Sequence, residues 1–479
     1  MSEARSIPVL TNPRRWMILF LVTTVTFMAA LDSSIVNVAL PTMSAKLGVN
    51  SGMIAWIVAV YLIVISATIL IFGRLGDIFG QSRIFQTGII LFTIGSALCG
   101  ISHSLPLLMI GRIVQAIGAA ATMGNNQGII TKAFPAAERG RALGFSGTAV
   151  ALGSLVGPAL GGVIVSFIDW EYIFWINIPI GLFTFALSFK YLPKRANRIK
   201  ETMDLPGAAL FILFIAPLFY AFNQSHAWGF SDPRILISLA VSALSFLFFL
   251  VVEKRSSMPL LDLSIFKNMW FTVSIICGFL NYVALFTTNI VHPLYLQYIR
   301  DLSPAMAGLV MTITPLIMVI AAPAGGYLSD KIGPEIVTLI GLIVTAAGLL
   351  LMSTFNTNTS IAVLILFVGL VALGNANFQA PNTALVMSSV TRDKFGIGGS
   401  VNGLARNLGM ITGITLSTTL LYSGMSRKMD QHVTGYVEGQ KDAFLYGMRT
   451  VYLVAAGICL LCVLITALRL KKRKERTVL

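Results

Sequence analysis

Apolar runs of about twenty residues, long enough to cross a bilayer, recur along the whole of this 479-residue chain. A helical run of that length matches a hydrocarbon core roughly 30 Å thick, because each helical residue rises about 1.5 Å. Hydrophobic residues make up 56% of the chain and charged residues 11%, whereas soluble proteins carry roughly 25% charged residues. The chain is therefore predicted to cross a membrane many times.

Breaks at charged residues, prolines and glycines divide these runs into candidate transmembrane helices. The first run contains Asp32 and is too long for the core of a signal peptide, so we expect it to be retained. An all-α membrane protein with fourteen transmembrane helices is the predicted fold class. The fourteen helices are predicted at 16–40, 54–76, 84–102, 105–133, 141–167, 172–192, 205–222, 234–253, 270–292, 304–328, 336–354, 359–387, 398–423 and 449–468.

The distribution of lysine and arginine tests this count. With the N-terminus inside, 25 of the 34 lysines and arginines fall in cytoplasmic segments and seven fall outside, while Arg112 and Arg406 fall within helices. This bias follows the positive-inside rule, and a miscounted helix would have reversed it in every later loop. The net charge of +15 therefore indicates topology, not affinity for nucleic acid. We expect both termini in the cytoplasm and the chain in the cell membrane.

A short repeat indicates two related halves. GRLGDIFG at 73–80 returns as GYLSDKIG at 326–333, after the second and the tenth predicted helix. Two six-helix halves would place the copies six helices apart, so two extra helices are expected between the halves. The predicted divisions are a cytoplasmic N-terminus at 1–15, a six-helix bundle at 16–192, a linker with two helices at 193–269, a second bundle at 270–468 and a basic cytoplasmic tail at 469–479.

Several function classes are not expected. All four cysteines lie within apolar runs, which argues against a disulfide framework or a zinc site. No GxxxxGK[ST] phosphate loop occurs, so an ATP-driven pump with its motor on this chain is not expected. A receptor or scaffold would need a sizeable soluble domain, and the longest predicted connection is only 424–448. We expect neither an enzyme nor a bound cofactor or metal.

Asp32 is the one acidic residue predicted to lie deep within a span. Inserting a carboxylate near the bilayer centre costs at least about 2.5–3.5 kcal/mol, and such residues usually mark ion or proton pathways. Asp32 is therefore predicted to bind a proton or another cation during transport. The alternative is a structural carboxylate that is permanently paired with an arginine.

Arg112 is predicted to lie at a depth similar to that of Asp32, so a switchable contact between them is geometrically possible. Helical spacing places several polar or flexible residues on the face of Arg112, which is a candidate lining for a wet cavity. In the second half, Arg406 follows Asn402 by one turn and has either a structural or a functional role. The predicted cavity residues are Gln115, Met123, Asn126, Asn402 and Arg406.

Two further motifs are predicted to act on conformation. Glycines at four-residue spacing in GSLVGPALGG give the fifth helix a smooth face for close packing, which is either a static interface or a hinge. Pro158 in the same stretch favours a bend. The repeated aspartates end helices beside glycines that permit tight turns, and are expected to hold helix ends together in one state. The motif residues are Gly73, Asp77, Gly80, Arg83, Asp330, Gly153, Gly157, Pro158 and Gly161.

Six stretches of the sequence, taken in chain order, resemble motifs of the major facilitator superfamily, specifically of its fourteen-helix drug:proton antiporter branch. The resemblance extends over nearly the whole chain. The stretches that carry it are LDSSIVNVALP at 31–41, GRLGDIFGQSR at 73–83, LLMIGRIVQAIGAA at 107–120, GSLVGPALGG at 153–162, WEYIFWINIPIG at 170–181 and FQAPNTA at 378–384. The stretch GRLGDIFGQSR resembles the superfamily's loop motif. Ile78, Gln81 and Ser82 replace basic residues that are usual in this loop motif, so its charge network is expected to be weaker or rearranged.

The resemblance implies the major facilitator fold and a rocker-switch multidrug efflux transporter. Such a transporter uses the proton motive force and no cofactor, with Asp32 and Arg112 as the coupling residues, and its activity confers antibiotic resistance. The expected partners are protons, small amphipathic and cationic compounds and membrane lipids, and the expected state is a monomer. The alternatives are an exporter of lipids or of a specific metabolite on the same scaffold, and a proton-coupled importer.

Overall fold

The computed structural model describes residues 12–49, 51–193, 203–256, 258–431, 433 and 435–478. The secondary structure of these residues consists of helices and short connections, without a β-strand. Most of the predicted N-terminal segment, the stretch 194–202 of the predicted linker and the final residue lie outside the described residues.

The N-terminal half contains six spans, the last of which is interrupted at Ile176. Its helices are α1 (Asn12–Leu47), α2 (Ser51–Phe79), α3 (Gln81–Gly100), α4 (Leu105–Ala133), α5 (Arg139–Phe167), α6 (Tyr172–Trp175) and α7 (Asn177–Tyr191).

Two inserted spans and six further spans follow. A π-helical turn, Tyr295–Ile299, extends the first span of the C-terminal half, and Thr312 interrupts the next one. The helices are α8 (Leu205–Trp228), α9 (Pro233–Arg255), α10 (Met269–Leu294), α11 (Pro304–Met311), α12 (Ile313–Ile332), α13 (Pro334–Met352), α14 (Ile361–Ser388), α15 (Phe395–Met429) and α16 (Lys441–Val478).

Thirteen stretches of the described chain are long and apolar enough to cross a membrane. The predicted span that is not among these thirteen is the one at 398–423. It corresponds to α15, which is 35 residues long but is rich in glycine, asparagine, serine and threonine. Many of these small and polar residues are buried against other helices, so α15 does not need a lipid-facing apolar surface. The all-α fold with fourteen spans is confirmed.

The helices extend further than their apolar runs. α1 continues through Pro41 to Leu47, and α15 and α16 leave only residues 430–440 between them, so the long connection predicted at 424–448 is wrong. The predicted tail is also wrong at its start, because α16 continues past residue 468 and Arg469 is buried against α10, where Nη1 donates to Ser274 Oγ over 2.9 Å. Hydropathy marks the hydrocarbon core, whereas a helix ends only where its backbone hydrogen bonding stops.

The two halves have matching internal packing. α1 packs on α5 in the first half, as α10 packs on α15 in the second, and the pairs α3–α4 and α13–α14 correspond in the same way. The halves meet through α5 with α12 and through α2 with α15. We call the end of the bundle where α1 begins and α16 ends the terminal face.

The inserted helices α8 and α9 form a hairpin against one side of this junction. α8 packs on α9, α2 and α15. The ring of Tyr220 stacks on that of Trp56 at a centroid separation of 5.7 Å, and Ser242 Oγ donates to the carbonyl oxygen of Phe214 over 2.8 Å. The pair therefore contacts both halves and leaves the matched packing within each half intact.

Candidate functional site

Asp32 and Arg112 form an ion pair inside the N-terminal half. Arg112 Nη1 donates to Asp32 Oδ2 over 2.7 Å, and the exposed fractions of the two side chains are 1% and 0% respectively. α1 supplies the acid and α4 the base. An unpaired buried charge is far more costly than a paired one, so in this arrangement each side chain stabilises the other.

Three uncharged side chains surround the pair. Gln115 Nε2 and Asn177 Nδ2 donate to Asp32 Oδ1 over 2.8 Å and 3.0 Å. Gln115 also accepts from Arg112 Nη1 over 2.7 Å and donates to Ser96 Oγ over 2.8 Å. Among the described residues, each hydrogen bond to the carboxylate comes from a side-chain N–H donor, which suits its two acceptor oxygens.

Aromatic rings and a backbone carbonyl enclose the guanidinium of Arg112. Its central carbon lies 4.1 Å from the ring centroid of Tyr61 and 5.9 Å from that of Phe174, and Nε donates to the carbonyl oxygen of Ile57 over 3.2 Å. Such rings attract a cation through their negative faces. α1, α2, α3, α4, α6 and α7 therefore all contribute to one closed polar cluster.

The glycine face of α5 packs on α1 on both sides of Asp32. Gly153 lies against residues 27–31, and Gly157 and Gly161 lie against Ser34 and Ile35. A side chain at Gly157 would collide with the Ser34 hydroxyl, which donates to the carbonyl oxygen of Gly153 over 3.0 Å. Pro158 lies within the single helix 139–167. The tight α1–α5 contact therefore holds the segment of α1 that carries Asp32.

Asp77 joins the end of α2 to the start of α15 in the other half. Its Oδ1 and Oδ2 accept from the backbone N–H groups of Gly396 and Ile397 over 2.8 Å and 2.9 Å. Gln81 Nε2 also donates to Oδ1 over 3.1 Å. The carboxylate thus caps the N-terminus of α15, where free N–H groups and the positive end of the helix dipole favour an anion.

Asp330 makes the equivalent contact in the opposite direction. Its Oδ1 and Oδ2 accept from the backbone N–H groups of Gly140 and Arg141, at the start of α5, over 2.8 Å and 2.9 Å. Gly80 and Gly333, which follow the two motif helices, have φ angles of 103° and 95°, a conformation that favours glycine. The repeated motif therefore forms two reciprocal caps that join the halves at the terminal face.

The predicted loop-motif residues have different surroundings. Gly73 lies against Ser400 and Gly396 of α15, whereas Arg83 is exposed. Gln81, one of the replacements for a usual basic residue, is buried and contacts Asp77. A neutral amide thus occupies a place where the family pattern expects a charge.

A pocket lies between the two halves on the side of the reciprocal caps. It is lined by Gln127, Tyr282, Phe378, Gln379, Asn382, Thr383, Asn402, Gly403 and Arg406. Asn402 Nδ2 donates to Gln127 Oε1 over 3.1 Å, which joins α15 to α4 across the pocket. Of the five residues predicted to line a cavity, the structure places Asn402 and Arg406 in this lining.

The other three predicted cavity residues lie elsewhere. Gln115 is fully buried in the cluster around Asp32, so its prediction as a cavity residue is corrected. Met123 packs against the apolar core of the N-terminal half. Asn126 is half-buried, and its Oδ1 is buried without a hydrogen-bond partner. Helical spacing placed these residues on the face of Arg112 but could not show what the neighbouring helices would place against that face.

Comparison with known proteins agrees with this architecture. The family model described as Major Facilitator Superfamily matches residues 22–276 and again residues 274–478. The chain belongs to the major facilitator superfamily. It is a transporter and not an enzyme, and the recognition of its multidrug efflux relatives from the sequence is confirmed.

Relatives of this facilitator include transporters that are named for different substrates. The present chain is 34% identical over 462 residues to the riboflavin transporter RibZ of Clostridioides difficile, and the match covers 96% of this chain and 98% of RibZ. It is 30% identical to multidrug resistance protein 3 of Bacillus subtilis, covering 85% and 80% of the two chains. It is 28% identical to the tetracenomycin C resistance and export protein of Streptomyces glaucescens, covering 86% and 76%.

Solved structures share the fold of this facilitator. The proton:xylose symporter XylE superposes with a TM-score of 0.67 at 15% identity, covering 95% of each chain. The human organic anion transporter MFSD10 superposes with a TM-score of 0.64 at 14% identity, covering 95% of this chain and all of MFSD10. At these identities the likeness concerns the fold alone.

Sequence reasoning missed several members of the facilitator's ion-pair cluster. Asn177 lies in WEYIFWINIPIG, a stretch noted for its family resemblance, and an amide in an apolar span was the signal that could have identified it. Ser96 and Tyr61 carried no such signal, because single hydroxyl groups are common in membrane helices. The carbonyl oxygen of Ile57 belongs to the backbone and has no sequence signature.

Proposed function

We propose that this facilitator is a proton-coupled secondary transporter in which Asp32 carries the proton. The observation that supports this most directly is the complete burial of the Asp32–Arg112 pair. A buried ion pair is a poor source of stability, since hydrophobic residues of similar volume often do as well. A titratable acid at this depth is better explained by a cycle in which it loses Arg112 as a partner and gains a proton.

The proposed cycle alternates between two openings of the bundle. In the structure the halves are joined near the terminal face by the caps at Asp77 and Asp330 and by the Asn402–Gln127 contact. With the terminal face in the cytoplasm, as the lysine and arginine bias favours, this arrangement is the outward-facing one. Protonation and substrate binding then favour opposite openings, which couples their movements.

We propose export of amphipathic small molecules as the direction and task. Relatives named for multidrug resistance and for tetracenomycin C export support this direction. One proton that enters down a potential of about 100 mV supplies about 2.3 kcal/mol. This energy sustains roughly a 50-fold gradient of a neutral solute, because about 1.4 kcal/mol corresponds to a factor of ten.

Transport of one specific metabolite is the second candidate. Its support is the 34% identity to the riboflavin transporter RibZ over nearly the full length of both chains. The polar pocket lining is also compatible with a ligand that makes several directed hydrogen bonds. Lipid export on the same scaffold is a third possibility, and no described feature of the pocket favours it.

The decisive experiment uses the purified full chain in proteoliposomes with an imposed pH gradient. Uphill movement of ethidium, riboflavin and headgroup-labelled lipid is measured in parallel, so that the same vesicles separate the three candidate tasks. Asp32→Asn is expected to abolish uphill movement while downhill exchange persists. Persistent uphill movement in Asp32→Asn would overturn the proposed coupling role.

Asp301→Asn provides a matched control for this experiment. Asp301 is exposed, pairs only at the surface with Lys441, and has a φ angle of 52° that asparagine tolerates. The control removes one carboxylate from the chain without touching the buried cluster. It is expected to transport uphill like the wild type.

A further inference from the structure

The two buried or half-buried arginines predicted from the sequence have opposite electrostatic surroundings. Arg112 has Asp32 as a counterion at 2.7 Å. Arg406 lies in the pocket between the halves, and its side chain has no carboxylate within ion-pair distance among the described residues. Its polar neighbour is the hydroxyl of Tyr282, which also accepts a hydrogen bond from Gln379.

The pocket lining adds no negative charge. Apart from Arg406, it contains amides, hydroxyl groups and one glycine, with a phenylalanine ring as the apolar wall. Arg406 lies eleven residues beyond the start of α15, which places it about 16 Å inside the bundle. A guanidinium at this depth without a counterion is unfavourable, and a ligand with a negative or acceptor-rich group would relieve that cost.

The amides in the lining are only partly used within the protein. Asn402 Nδ2 donates to Gln127 Oε1 and to Thr383 Oγ1 over 3.1 Å and 3.3 Å, and Asn382 Nδ2 donates to the carbonyl oxygen of Ser274 over 3.0 Å. The carbonyl groups of Asn382 and Asn402 have no protein donor in the described hydrogen bonds. The pocket can therefore both donate to and accept from a polar ligand.

We propose that this pocket binds substrates through a carboxylate or a carbonyl-rich polar edge that contacts Arg406, and that it disfavours permanent cations. The inference rests on the proposed transport function and narrows its substrate class. It reverses the expectation of cationic substrates made from the sequence, because a cation in the pocket would face an uncompensated guanidinium. Neutral compounds with an imide or amide edge and organic anions are the substrates that fit.

The test measures binding to the purified full chain in lipid nanodiscs by fluorescence anisotropy or quenching. The probes are carboxyfluorescein as an anion, riboflavin as a neutral ligand with an imide edge, and ethidium as a permanent cation. Carboxyfluorescein and riboflavin are expected to bind more tightly than ethidium. Arg406→Gln is expected to weaken carboxyfluorescein binding at least 10-fold and riboflavin binding several-fold, and Arg406→Lys to retain part of the affinity for carboxyfluorescein.

Arg234→Gln is the matched control, because Arg234 is an exposed arginine that pairs with Asp232 at the surface. Size-exclusion profiles show whether each variant folds. If Arg406→Gln does not fold, Gln379→Ala and Asn402→Ala replace it and are expected to weaken riboflavin binding. Unchanged affinity for carboxyfluorescein in Arg406→Gln, or tightest binding of ethidium to the wild type, would contradict the proposal.

The assay separates this inference from the proposed coupling mechanism. Binding is measured without a pH gradient, and the surface variant Asp301→Asn is expected to bind both favoured probes as the wild type does. If Arg406 determines binding while Asp32→Asn still drives uphill transport, the coupling role of Asp32 fails and the pocket assignment stands. If the Asp32 result holds and Arg406 has no effect on binding, only the pocket assignment fails.

Discussion

Asn177 donates from Nδ2 to Asp32 Oδ1 over 3.0 Å and thereby joins α7 to α1 in the interior of the N-terminal half. Its side chain is fully buried. The same carboxylate oxygen also accepts from Gln115. An amide from the last span of its own half therefore holds the Asp32 carboxylate together with Arg112.

Replacement of Asn177 by leucine is expected to destabilise the N-terminal half. The substitution removes a buried hydrogen bond to a charged group, which contributes about 1.5–3 kcal/mol. Thermal unfolding in detergent checks this, with Asn37→Leu on the exposed side of α1 as the control. Stability of Asn177→Leu equal to that of the wild type would argue against the role of Asn177.

The Asp32–Arg112 pair is expected to show strong coupling in a double-mutant cycle. Asp32→Asn or Arg112→Gln alone disrupts the buried pair, and a broken pair of this kind typically costs about 3–5 kcal/mol. The double variant should be more stable than the sum of the single effects predicts, by about 1–3 kcal/mol. Thermal unfolding in detergent provides the measurement. Additive effects would show that the two side chains do not stabilise each other.

The cap at Asp77 is expected to control the fraction of molecules in which the two halves are closed at the terminal face. Asp77→Asn removes the charge that faces the N-terminus of α15, a loss of about 1–2 kcal/mol, so the closed population should fall about 5- to 30-fold relative to the open one. Spin labels at the exposed positions Arg83 and Arg392, one in each half, report the separation. Longer distances should appear in Asp77→Asn.

Asp330→Asn tests whether the second cap acts in the same way. Asp330 accepts from an equivalent pair of backbone donors, those of Gly140 and Arg141, but is less buried than Asp77. Its effect on the label distances should therefore be smaller. Identical distance distributions in the wild type and both variants would rule out the caps as conformational contacts.

The ion pair between Asp262 and Lys394 is expected to make stability sensitive to acid. Their Oδ2 and Nζ atoms are 2.5 Å apart. Burial opposes ionisation, but hydrogen bonds from Lys394 and Ser264 lower the pKa of Asp262 to about 2. Because the folded pKa lies below the unfolded value of about 3.9, the contribution of roughly 1–2 kcal/mol is present above pH 4 and is lost as the pH falls toward 2.

Thermal unfolding between pH 5 and pH 2.5 checks this sign. The wild type should lose more stability over this range than Asp262→Asn, which has no carboxylate to titrate at this site. Asp430→Asn, at an exposed position with a φ angle of 52°, is the control and should follow the wild type. Parallel curves for the wild type and Asp262→Asn would disprove the linkage.

The sequence alone was sufficient to predict the fourteen spans, the repeat, and Asp32 and Arg112 as buried charges. Each of these is a property of one segment, since the hydrocarbon core requires about twenty apolar residues per helix and makes any charge within them conspicuous. Helix ends were predicted less well. α1, α15 and α16 continue beyond their apolar runs, because polar residues at the membrane surface do not interrupt backbone hydrogen bonding.

Only the tertiary structure decided which groups meet. Asp32 lies 145 residues from Asn177, and Asp77 lies 319 residues from Gly396, so no local pattern relates them. The contrast between Arg112, which has a counterion, and Arg406, which faces a pocket without one, also depends on helices from distant parts of the chain. Hydropathy acts on each segment separately, whereas hydrogen bonds and ion pairs require two specific side chains to approach within about 3 Å, and packing determines that approach.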